Sequence, residues 1–178
     1  MHPWIETVLG LKDFTIFISH SFKDNDWLDD YLAGVVSNLG AKYIMAEHTF
    51  SQSNKENITQ KIKRQIDCSH ALLAVLSKDG NASKFVHHEI AYADAKGKPI
   101  IALIEADEKG EIKKEGFLYD KEVLTFKDRI ELHDLRAKLK KIILDFWDKK
   151  NVQTISNAIT GSLIVVGVLI VSSLDSKK

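Results

Sequence analysis

Three short stretches of this chain are apolar or β-branched from end to end: Phe14 to Ile18, Ala71 to Leu76 and Pro99 to Ile104. A strand with one wet face alternates apolar and polar residues, whereas one that does not alternate is covered on both faces. Between these runs the apolar period changes. Asp26 stands before Trp27, Leu28, Tyr31, Leu32, Val35, Val36 and Leu39, which recur at helical spacing until Gly40 supplies a stop. Ile58, Ile62 and Ile66 mark a second helix. Phe85 to Ala95, ended by Gly97, marks a third, and Leu132, Leu135, Leu139, Ile142, Ile143 and Phe146 mark a last one with lysines on its other face. Tyr43 to Met45 and Val123 to Phe126 are weaker strands, and the charged, glycine-punctuated stretch from Glu105 to Gly116 reads as a loop or small hairpin. Strand–helix alternation of this kind predicts an α/β domain with a parallel sheet of about five strands and helices on both faces. Ligands in such folds bind beyond the carboxyl ends of the strands, which points to the residues just after Ile18, Met45 and Leu76.

The end of the chain has a different character. Ile155 to Leu174 is 20 residues without a charge, and a helix of that length, rising 1.5 Å per residue, just spans a hydrocarbon core of about 30 Å. Val165, Val166, Val168, Ile170 and Val171 make it apolar on all sides, which favours a membrane span over a core helix with one apolar stripe. Lys149 and Lys150 before it and Lys177 and Lys178 after it nearly balance. The start of the chain has no basic stretch followed by an apolar run, so it does not read as a secretory signal. The expected organisation is an extension over 1–13, a domain over 14–148, a linker over 149–154, a single-pass anchor over 155–174 and a tail over 175–178. The domain is expected to face the cytoplasm. Lys and Arg total 25, as do Asp and Glu, so a strongly basic nucleic-acid-binding face is not favoured. The single cysteine, Cys68, leaves no internal disulfide framework and reads as a small buried filler at a helix end.

Among residues that could carry chemistry, Glu89 is the sharpest. It lies four residues after Phe85, three after Val86 and four before Ala93, on the apolar stripe of its helix. A carboxylate there either snorkels to water from the stripe's edge or is buried, in which case it needs partners or a raised pKa. His87, His88 and Glu89 in a row do not make a metal site, because adjacent helical side chains diverge by about 100° and the HExxH spacing is absent. Walker, GxSxG and GxGxxG motifs are also absent. The polar loop from Ser19 through His20 to Asp26 follows the first strand. It could bind ribose or phosphate or cap the next helix. A second polar loop, from His48 to Asn57, surrounds Phe50.

These residues also carry a resemblance. Phe14 to Ser21, with Asp26 and Trp27 opening a helix, resembles the first box of Toll/interleukin-1 receptor (TIR) domains. Ile66 to Ser77 resembles their third strand and its approach. Ser83, Phe85 and Glu89, followed by Ala93 and Gly97 to Ile101, resemble the box with serine, tryptophan and glutamate at those intervals, in prokaryotic members of the family. The similarity covers about Phe14 to Phe146. Phe85 stands where the family has tryptophan, and Glu47 to Asn54 lacks the usual Pro-Gly pair.

The resemblance implies a flavodoxin-like sheet and, as in many bacterial and plant members, cleavage of NAD between nicotinamide and ribose. NAD is then a substrate, with no cofactor or metal implied. The family's catalytic glutamate falls on Glu89. Ser19, His20 and Asp26 are candidates for the ribose and phosphates, and Phe50 or Trp27 for covering the nicotinamide. The expected partners are NAD, a lipid bilayer and other copies of the chain through TIR–TIR contacts, in a signalling or antiphage defence role. A non-enzymatic TIR docking module, and an enzyme of another nucleotide-glycosidic family, are the alternatives.

Overall fold

The computed structural model describes residues 11–21, 26–45, 55–77, 84–107, 118 and 120–152. The chain divides into two compact units, 1–143 and 144–178. In the second, residues 144–152 are helical, with the Lys149 ammonium 5.9 Å from the centre of the Phe146 ring. Among the described residues no helix is long and apolar enough to cross a membrane. The expected span at 155–174 lies outside them.

The first unit is built on five parallel strands: β1 (Thr15–Ser19), β2 (Lys42–Met45), β3 (Ala71–Leu76), β4 (Ile100–Glu105) and β5 (Glu122–Phe126), in the order β2-β1-β3-β4-β5. This is the flavodoxin-like order, whose switch point lies between β1 and β3. Helix α1 (Asp26–Ser37) crosses from β1 to β2, α2 (Lys55–Cys68) from β2 to β3, and α3 (Lys84–Ala95) from β3 to β4. The helix α4 (Arg129–Asp134) follows β5, and helix resumes at 136.

The uninterrupted apolar runs fall where both faces of the sheet are covered. All six residues of β3 are buried. Side chains alternate across a strand, so Phe17 of β1, Leu72, Ala74 and Leu76 of β3, and Ile100, Ala102 and Ile104 of β4 share one face. They pack against Ile62 and Ile66 of α2 and Val86, Ile90 and Ala93 of α3. Ile16, Ile18, Leu73, Val75, Ile101 and Leu103 face the other way and are buried as well. The Tyr31 hydroxyl of α1 donates to the Leu132 carbonyl of α4 at 2.9 Å. The outer strands are wetter: Tyr43 on β2 is 42% exposed, which explains its weaker sequence signal.

Gly97 ends α3 at φ +65°, the left-handed region that glycine enters without a Cβ penalty. Its N–H bonds to the Asp94 carbonyl at 2.8 Å and that of Lys98 to Ala93 at 3.0 Å, the paired bonds of a Schellman ending. Three details differ from the periodicity. The last helix is interrupted by a turn residue, Leu135, although its N–H still reaches the Glu131 carbonyl at 3.1 Å. Cys68 is exposed rather than buried, because it sits two residues, or some 200° of rotation, beyond the core-facing Ile66. Phe85 is 49% exposed; the stripe of α3 runs through Val86, Glu89, Ile90 and Ala93 instead.

His70, in the turn before β3, fixes the start of β1. Its ring stacks on Phe14 with centroids 5.3 Å apart, and its Nδ1 accepts the Thr15 N–H at 2.9 Å. His70→Phe keeps the stacking surface and removes the acceptor. The variant is expected to lose about 1–2 kcal/mol of stability, the cost of stranding a partly buried donor, read as a lower denaturant midpoint.

Candidate active site

The first link of the site is local. Phe17 faces α3, and Ser19, two residues on, faces the same way at the carboxyl end of β1. On α3, Glu89 lies one turn after Val86 and one turn before Ala93, both buried, and therefore points at the sheet. The two side chains meet: the Ser19 hydroxyl donates to Glu89 Oε2 at 2.5 Å. Ser19 is wholly buried and Glu89 is 4% exposed. The carboxylate has thus left water, and the snorkelling alternative does not hold.

Burial pushes the Glu89 carboxyl up to about 7, while the Ser19 bond pulls in the opposite direction. Near neutral pH the group is therefore poised between its two protonation states, the condition under which a carboxyl can work as a base or a charge stabiliser.

Glu89 also lines a pocket of about 100 Å³ between α2 and α3, together with Thr59, Ile62, Lys63, Ile66, Phe85, His88 and Tyr92. That is smaller than the roughly 300–1,000 Å³ of most small-molecule sites. Isoleucines and the aromatic rings of Phe85 and Tyr92 form most of the wall, so a charge developing beside Glu89 is poorly screened by water.

The other expected residues are placed as follows. His20 is buried directly after β1, with Nδ1 3.3 Å from the Ser21 carbonyl. Ser21 and, at the end of β3, Ser77 are buried too, so three strand-end polar residues join Ser19 beside the β1–β3 switch point. Asp26 is the first residue of α1; its side chain, that of Trp27, and Phe50 and Ser83 lie outside the described residues. His87 is half-buried; His88 is exposed and lines the same pocket as Glu89. Among the described residues no group of three or more His, Cys, Asp or Glu side chains is placed to hold a metal ion. Lys63 and Tyr92 were not picked out by the sequence reading, because both join the pocket only through the packing of α2 on α3.

The sequence profile of a family described as TIR domain matches residues 16–143. A comparison with curated proteins finds no match. The fold is similar to the TIR domain of the Toll-related receptor TRR-2 from Hydra magnipapillata, at 16% identity and a TM-score of 0.55, over 72% of this chain and 96% of that one. It is also similar to the Clostridium botulinum CMP N-glycosidase BcmB, at 17% identity and a TM-score of 0.51, over 70% of this chain and 97% of that one.

Proposed function

The chain belongs to the TIR domain family, and from that premise we propose that it cleaves the nicotinamide–ribose bond of NAD, with Glu89 as the catalytic carboxylate. The observation that carries this reading is a single carboxylate taken out of water, bonded to Ser19 and open to a pocket. A fold has little use for a buried carboxylate as such, since burial costs stability. A reaction that generates positive charge beside it has a direct use. The Clostridium botulinum protein of similar fold is a CMP N-glycosidase, which supports a nucleotide's glycosidic bond as the target.

The chemistry asks for little more than this charge. The nicotinamide of NAD is already a cationic pyridinium, so it departs with the bonding electron pair as a neutral base and needs no acid to protonate it. The positive charge passes to C1′ and the ring oxygen of the ribose. The Glu89 carboxylate stabilises that oxocarbenium-like centre more than it stabilises the ground state. Water then adds at C1′ and releases a proton, giving ADP-ribose; capture by a nitrogen of the substrate's own adenine gives a cyclic product instead. Ser19 acts through Glu89, fixing its position and keeping more of it ionised. His20 and Asp26 are proposed to contact the ribose and phosphates, and Phe50 to cover the nicotinamide. NAD is consumed as substrate, and no cofactor or metal takes part.

The segment 155–174 is proposed to anchor the domain on the cytoplasmic side of a membrane. Confinement there raises the local concentration of domains and favours homo-oligomers through TIR–TIR contacts. Such an arrangement suits a prokaryotic signalling or antiphage defence protein. The test is product analysis: full-length protein, concentrated or reconstituted in liposomes, is expected to release nicotinamide and ADP-ribose or its cyclic form from NAD. A folded, membrane-reconstituted protein with no turnover would contradict the reading and favour a non-enzymatic docking module.

A further inference from the structure

The lining of the pocket carries both signs of charge, the Glu89 carboxyl and the Lys63 ammonium. Tyr92, one turn further along α3, is flanked by two cations, the Lys63 ammonium 5.4 Å and the Lys96 ammonium 5.3 Å from its ring centre. The two lysines are not equivalent. Lys96 is paired with Asp67 at 3.3 Å, and the Tyr92 hydroxyl donates to both oxygens of the same carboxylate at 3.1 and 3.0 Å. The negative charge of Asp67 is thus already engaged. Lys63 instead lines the pocket itself, and among the described residues it pairs with no carboxylate. A lysine resting on an aromatic face holds a defined position while its charge remains available to a second partner.

A substrate matching this lining carries a cationic centre for Glu89 and an anion for Lys63. In NAD the glycosidic carbon and the pyrophosphate are joined by a single ribose. Resting on the proposed NAD cleavage, we infer that Lys63, steadied by Tyr92, receives the substrate's pyrophosphate and makes the site select nucleotides over nucleosides.

The experiment compares nicotinamide release from NAD and from nicotinamide riboside, which lacks the phosphates, using the full-length chain and its Lys63→Met and Lys63→Arg variants. Methionine keeps most of the stem over Tyr92 and removes the charge. Lys63→Met is expected to lower the ratio of kcat/KM for NAD to that for the riboside by about 10-fold or more, the size of one charge-assisted phosphate contact. Inhibition by inorganic pyrophosphate should weaken by a similar factor, and Lys63→Arg should keep most of the wild-type ratio. If the wild type cleaves NAD and Lys63→Met leaves the ratio unchanged, the assignment of Lys63 is wrong while NAD cleavage stands. If the wild type releases nicotinamide from neither substrate, the parent reading and this assignment fall together.

Discussion

Glu89→Gln is expected to make the domain more stable at pH 8 and to change its stability little at pH 5. Burial holds the Glu89 carboxyl near 7 in the folded protein, against an ordinary value of 4.5. Between those two values the folded state keeps a proton that the unfolded chain has released. Stability therefore falls as pH rises through this window, and the loss is complete above about 7. The interval corresponds to about 3 kcal/mol. Glutamine has no such ionisation and can still bond to the Ser19 hydroxyl, so the variant recovers up to that amount at pH 8. Denaturant unfolding at the two pH values measures it. Equal effects at both would mean that the carboxyl is not desolvated as described.

Ser19→Ala is expected to move the pH dependence of catalysis rather than abolish activity. If the anion of Glu89 is the working form, kcat/KM rises with pH through about 7, so that activity at pH 6 is about a tenth of the plateau. The Ser19 bond lowers the Glu89 value; removing it shifts the rising limb to higher pH. Activity near pH 7 then falls several-fold and recovers substantially by pH 9. A loss of the same size at every pH would assign Ser19 a role other than holding and ionising Glu89.

The frame of the fold was legible because its signals are local. Six apolar residues in a row at Ala71–Leu76 can only be satisfied between two covered faces, and Gly40 and Gly97 stop their helices through positive φ values of 75° and 65°. Glu89 stood out because a carboxylate interrupts the core-facing row of Val86, Ile90 and Ala93. Its partner was only half legible. Strand alternation puts Ser19 on the face of Phe17, but contact with Glu89, 70 residues away, depends on sheet order and on how α3 lies across it. Lys63 and Tyr92 were invisible for the same reason, since an exposed lysine and a half-buried tyrosine have no meaning until α2 and α3 are set side by side. Cys68 and Phe85 were misplaced by about a quarter to a half turn of helix, a small error in period that reverses burial at the end of a stripe.

The central claim is that Glu89 stabilises positive charge as a glycosidic bond breaks. Its most direct test is nicotinamide release from NAD by reconstituted full-length protein, wild type against Glu89→Gln, at equal surface density and pH 8. Glutamine preserves size and hydrogen bonding and removes only the charge. A fall in turnover of at least about 100-fold, in a variant at least as stable as the wild type, is the predicted result. Near-wild-type turnover by the folded glutamine variant would contradict it.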